Sequence, residues 1–211
     1  SMRCIYVGSN SFISGFRLTN GQTASSGDLT NEQSGGGAWC EPGGSISNCI
    51  VTHNFTGAFF SGLGGGVYGG SIWNSLVTSN SAYYGAGVAA ATVFNSLLFS
   101  NTVKTSGSDA GGGAYNSTVS NCVVCKNGWD GSGGGVYNCE LINCIISGNS
   151  AGYFGGGASH STLTDCKVFN NTALVGGGLE SSMAYNCVVF SNIANSTGGG
   201  IAGGTNFNCT V

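Results

Sequence analysis

The stretch from Gly133 to Leu179 reads GGGVYNCELINCIISGNSAGYF (133–154), then GGGASHSTLTDCKVFNNTALV (155–175), then GGGL (176–179). One grammar is repeated in both units. A glycine triplet is followed by an apolar residue, an Asn-Cys or Asp-Cys pair, an apolar-x-x-Asn step, and a small-residue loop back to glycine. A period of about 22 residues, with short apolar alternations and no helical pattern, predicts a stacked β-solenoid.

The same grammar extends in both directions. The last glycine of each triplet falls at 37, 66, 87, 113, 135, 157, 178 and 200. Two coils are longer than the rest. Their insertions, around Gly57 to Leu63 and Thr105 to Ala110, fall at the same point of the repeat and so on one edge of the solenoid. One column runs Asn48, Asn74, Asn95, Asn121, Asn143, Asp165, Asn186 and Asn208. The next runs Cys49, Ser75, Ser96, Cys122, Cys144, Cys166, Cys187 and Cys209, and two residues further on lie Val51, Val77, Leu98, Val124, Ile146, Val168, Val189 and Val211. A second asparagine column follows: Asn54, Asn80, Asn101, Asn127, Asn149, Asn171 and Asn192. Parallel strands about 4.8 Å apart align such columns into ladders. The aliphatic column fills the interior with period two. Asn tolerates left-handed turns, and its amide both donates and accepts. Alternation places the Cys49/Cys122 column inside, beside Val51 and Val124.

The expected fold is therefore all-β: a single right-handed parallel β-helix of about eight coils of 21–22 residues. Residues 1–34 read as an irregular leading coil and 35–211 as the repeat domain. The last coil stops in mid-pattern at Asn208-Cys209-Thr210-Val211, which reads as a fragment or as an end covered by another chain.

Composition agrees. Of 211 residues 40 are Gly and one is Pro, and only 6% are charged. At 41% hydrophobic content this is not a disordered composition. A net charge of −3 gives no reason to expect nucleic acid as a partner, and no apolar run is long enough to insert in a bilayer. No cofactor is indicated.

The GGG-apolar and apolar-x-x-Asn pieces resemble the paired motifs (GGA-Ile and Phe-x-x-Asn) of chlamydial polymorphic membrane proteins, and more broadly the β-helix repeats of bacterial autotransporter passengers. The similarity covers about residues 35–211. Asn149-Ser150-Ala151 leading to Gly155-Gly156-Gly157-Ala158 is the nearest copy; aliphatic residues replace the family's Phe. The resemblance implies a secreted or cell-surface, non-enzymatic solenoid, often adhesive, whose partners are host or cell-surface proteins or glycans.

Candidate chemistry lies where the repeat varies. Two residues after each triplet stand Trp39, Tyr68, Ala89, Tyr115, Tyr137, Ser159, Glu180 and Ala202. Trp39, Tyr68, Tyr115 and Tyr137 form an outward aromatic strip, read either as a glycan-binding surface or as neighbours stabilising one another. Ile50, Leu76, Leu97, Val123, Ile145 and Val188, broken by Lys167, form an outward apolar stripe suited to docking, or to simple β propensity. The cysteine column reads as small core residues, since Ser75 and Ser96 substitute in it and no paired CxxC zinc pattern is present. Cys4, Cys40, Cys125 and Cys139 lie off that column.

Pectin-cleaving enzymes share this architecture and use clustered acids, but here no acids are adjacent in sequence. Asp109 and Asp130 near Lys126 are the best cluster, and His53 and His160 stand alone. An ice-binding row starts at Thr52 and Thr78 and is broken by Phe99, Cys125 and Phe169. The expected function is a structural or adhesive rod able to self-associate end to end. The alternative is a carbohydrate-binding or carbohydrate-active β-helix.

Overall fold

The computed structural model describes residues 2–57, 61–104, 110–129 and 131–211. Its unit is smaller than the coil: a side of five residues, seen in Cys144-Ile145-Ile146-Ser147-Gly148. The third residue turns inward and the fifth turns the corner. One coil runs through strands Val136–Tyr137, Glu140–Ile142, Ile145–Ser147 and Ser150–Ala151. Equivalent strands of successive coils stack in parallel into four sheets, of nine, nine, eight and six strands among the described residues. They are called here the first, second, third and fourth sheets in the order the chain meets them. The chain makes about 7 turns, close to the eight coils expected. Within the leading segment, Ile5–Val7, Phe12–Ser14 and Arg17–Thr19 pair in register with the second coil, while Gly21 to Ser34 is mostly loop.

The corners explain the five-residue side. In one coil Asn138, Asn143, Gly148 and Gly155 all have φ between 50° and 63°, the left-handed region. The column Asn48, Asn74, Asn95, Asn121, Asn143, Asp165, Asn186 and Asn208 keeps φ between 47° and 55° throughout. A β-branched residue there would carry a steric cost of about 1–2 kcal/mol, which is why this column is Asn or Asp.

The two asparagine columns do different jobs. The second column is buried from Asn54 to Asn171, with Asn101 and Asn171 fully inaccessible, and half-buried at Asn192. Each Oδ1 accepts from the coil before it: Asn149 Oδ1 takes the Asn127 backbone N–H at 2.9 Å and the Asn127 Nδ2–H at 3.2 Å. Each Nδ2 also donates to a carbonyl of an earlier coil, as Asn149 does to Val124 at 3.0 Å. The buried polar groups are thus satisfied by the neighbouring copy, and the ladder fixes the register of stacking.

The thiol column works in the same way. Cys166 Sγ accepts the Cys144 N–H at 3.4 Å and donates to its own coil's Thr164 carbonyl at 3.2 Å. Ser96 Oγ accepts the Ser75 N–H at 3.0 Å and donates to Phe94 at 2.7 Å. Serine and cysteine interchange because both supply one donor and one acceptor. A second ladder of this type runs through Ser117, Cys139, Ser161 and Ser182 in the second sheet. Cys139 lies off the Cys49/Cys122 column, as expected, and is a buried member of this second ladder. Cys40 is likewise buried. Burial pushes the Cys40, Cys122 and Cys139 thiols up to about 12.

Two results are expected. Cys166→Ser should change stability by less than about 1 kcal/mol, whereas Cys166→Ala leaves the Cys144 N–H without an acceptor and should cost about 1–3 kcal/mol in urea unfolding. In native protein, iodoacetamide followed by mass spectrometry should label Cys4, Cys125 and Cys209, which are at least partly exposed, and spare Cys40, Cys122, Cys139 and Cys166 until the protein is denatured.

Candidate functional site

The first sheet brings the aromatic column together in register. Tyr6 pairs with Trp39 and Trp39 with Tyr68; further along, Tyr115 pairs with Tyr137. Their inward neighbours Ala38, Val67, Ala114 and Val136 are fully buried, so these rings point outward. The rings stack on one another. Tyr6 and Trp39 centroids lie 5.2 Å apart at 5°, Trp39 and Tyr68 6.1 Å at 23°, and Tyr115 and Tyr137 6.0 Å at 11°. Neighbours therefore cover much of each other's faces and present edges to solvent. This geometry accounts for the column as cross-strand stabilisation, and it limits sugar stacking to places where the run is interrupted.

The run is interrupted at Ala89, the in-register partner of both Tyr68 and Tyr115. Ala89 is itself buried; one residue further on, at the corner between the first and second sheets, lies a groove of about 520 Å³. Trp39 and Tyr68 form one wall, and Ser71 and Thr92 the other. Thr30 of the loop from Gly21 to Ser34 and Pro42 of a small bulge also line it. The bulge closes on itself through a Gly44 N–H to Glu41 carbonyl bond of 2.9 Å.

The loop is pinned to the wall by the Trp39 indole, which donates to the Thr30 carbonyl at 2.7 Å. Its own turn is organised by Asp28. That carboxylate accepts from the Asn31 N–H at 2.7 Å, the Thr30 hydroxyl at 2.8 Å and the Thr30 N–H at 3.1 Å. These bonds, the Asn31 N–H first, hold the Asp28 carboxyl below its usual range. Because the folded value is depressed, this turn is intact above the ordinary aspartate pKa and loosens as pH falls through the folded value.

At the far end of the sheet the structure corrects one expectation. His160 does not stand alone: its Nδ1 lies 3.6 Å from Glu180 Oε2 and 2.9 Å from Ser159 Oγ, and its ring lies 5.3 Å from Tyr137. Ser159 Oγ also donates to Glu180 Oε2 at 2.7 Å. The residue types are those of a nucleophile, base and acid, but the order is not. The carboxylate holds the serine rather than the far side of the imidazole, and Ser159 is 0% exposed. The sequence signal that could have found this group was the two-coil register of the aromatic column, one coil beyond Tyr137.

The apolar stripe also lies in one register, on the third sheet. Ile50, Leu76, Leu97, Val123, Ile145, Lys167 and Val188 pair successively. Ile50 is 40% exposed, and Ile145 and Val188 are each 39% exposed. Beside them Phe169 and Phe190 stack at 4.9 Å. Asp130, residues 58–60 of the first loop insertion and residues 105–109 of the second, Asp109 included, lie outside the described residues. Among the described residues no three His, Cys, Asp or Glu side chains converge for a metal ion.

Comparison with family models, with curated proteins and with solved structures finds no match to this chain. The parallel solenoid stands on its strand register. The resemblance to polymorphic membrane protein repeats rests on the motifs that suggested it.

Proposed function

We propose that this chain is a non-enzymatic, rigid solenoid of a secreted or cell-surface protein that makes adhesive contacts through its outer columns. The observation that carries this reading is the apolar stripe of the third sheet: a row of aliphatic side chains in strict register, held outward on a frame whose interior ladders fix every coil. An exposed row of this kind, which the inner packing does not need, is suited to an extended protein surface. The frame favours stiffness over chemistry, since the one described Ser-His-Glu group has a buried serine and the wrong order of contacts.

Beads coated with the purified protein should adhere to epithelial or bacterial cell monolayers under flow. Ile145→Glu with Val188→Glu should reduce adhesion severalfold while leaving the melting temperature near wild type, because each new carboxylate is the register partner of Lys167. Retention no greater than that of albumin-coated beads contradicts the proposal, as does depolymerising activity on a plant or bacterial polysaccharide.

A further inference from the structure

We propose that the groove beside Trp39 and Tyr68 is a binding site for a short, neutral saccharide, independent of the adhesive stripe on the third sheet.

Three observations converge. The first is the shape of the corner. The corner residue after the first sheet is Asn116, Asn138 and His160 in later coils, and Asn138 Nδ2 donates to Asn116 Oδ1 at 2.6 Å, filling that edge. In the coils that form the groove the same corner is Gly69-Gly70 and then Ala90. A Cβ on Gly70 would stand 2.5 Å from Cys40 Cβ, so the floor is backbone drawn close to the coil before it.

The second is Ala90 itself. Its φ is 52°, in the left-handed region where alanine is disfavoured and asparagine is at home. The solenoid uses Asn at the matching corner in each of the next two coils, so the alanine is a local strain kept where a longer side chain would fill the groove.

The third is the lining. Its side chains carry no charge, and they divide into an aromatic wall and a hydroxyl wall. Ser71 and Thr92 belong to an outward hydroxyl row, Ser45, Ser71, Thr92 and Thr118, in strict register beside the aromatic column. A sugar ring can lay its apolar C–H groups against the ring edges of Trp39 and Tyr68 and its hydroxyls against Ser71 and Thr92. An anionic sugar would find no lining cation. The volume lies within the range of about 300–1,000 Å³ typical of ligand pockets and suits two or three sugar rings.

The test is isothermal titration calorimetry of the full chain with cellotriose, xylotriose, chitotriose and maltotriose, with trigalacturonate as the acidic comparator. At least one neutral trisaccharide should bind. Ala90→Asn should weaken it by about tenfold or more, a difference of about 1.4 kcal/mol in binding, while melting at the same or a higher temperature. Ala90→Gly should bind as wild type. Thr92→Val, which removes a hydroxyl from the wall without touching the corner, should also weaken binding. Absence of binding to all four neutral sugars overturns the proposal. So does unchanged affinity in both Ala90→Asn and Thr92→Val, or tighter binding of trigalacturonate than of every neutral sugar.

Discussion

Asn149→Ala should destabilise the protein by about 5 kcal/mol in equilibrium urea unfolding. The replacement removes the acceptor that takes both the Asn127 N–H and its Nδ2–H, and the donor that serves the Val124 carbonyl. With the Asn171 Oδ1 that Asn149 Nδ2 also serves at 2.9 Å, four buried polar groups lose a partner, the Asn127 N–H among them, and an orphaned group costs about 1–3 kcal/mol. Asn149 is 1% exposed, so water does not replace them. Asn143→Ala, six residues earlier and also in a coil-to-coil asparagine column, should cost only about 1–2 kcal/mol, the left-handed term. Asn143 is exposed, and its 2.8 Å bond to Asn121 is made at the surface. A difference of less than about 1 kcal/mol between the two variants would contradict the distinction between a buried ladder and a surface corner.

Gly157→Ala should be at least as damaging, for a steric rather than a polar reason. An added Cβ would lie 2.6 Å from the Gly178 carbonyl oxygen, 3.0 Å from Val168 Cγ1 and 3.1 Å from Asn171 Nδ2. Gly157 is not at a left-handed corner, so the demand is for closeness between coils. Relief requires the two coils to separate, which stretches the hydrogen bond from the Gly157 N–H to the Gly178 carbonyl at 3.0 Å and moves the asparagine ladder. Overpacking of this kind costs about 1–3 kcal/mol where side chains can yield; here backbone faces backbone, and the expected cost is about 3 kcal/mol or more. Gly148→Ala is the control. Its Cβ would meet only Lys126 Cγ at 3.8 Å, and its φ of 63° leaves the left-handed penalty of about 1–2 kcal/mol as the whole effect. Circular dichroism with thermal melts should therefore rank Gly157→Ala well below Gly148→Ala.

The fold was legible because its columns recur with little variation. The 21–22-residue period, the inward Val51 to Val189 column and the interchange of Ser and Cys all follow from identical residues stacking one strand apart. The five-residue side was harder to see. Its corners are Asn in some coils and Gly, Ser, His or Lys in others, since any of these can occupy the left-handed region at a modest cost. The second thiol-hydroxyl ladder was missed for a related reason: its sequence alternates Gly70, Ala91, Ser117, Cys139 and Ser161, which share size and position but not identity.

The site was less legible still. Ring stacking along the aromatic column follows from register, and register can be read. The groove arises from what is missing, the side chains absent at Gly69, Gly70 and Ala90, together with a bulge at Pro42 and a loop held by Trp39. Absent side chains leave no periodic signal, and a loop's docking is decided by tertiary contacts that its polar sequence does not announce. His160 and Glu180 come together because Glu180 is the register partner of Ser159 and His160 is the corner residue that follows it, 20 residues away in sequence, and a linear reading treats them as isolated.

A buried asparagine ladder locks neighbouring coils in register. Hydrogen exchange of side-chain amides, followed by nuclear magnetic resonance on selectively Asn-labelled protein, tests it most directly. The Nδ2 protons of Asn80, Asn101, Asn127, Asn149 and Asn171 should be strongly protected, with couplings across the hydrogen bonds to Oδ1 of the next coil, while those of the exposed corner residues Asn74 and Asn186 exchange at the rate of free asparagine. Uniformly fast exchange across both columns would contradict the ladder, and with it the in-register solenoid.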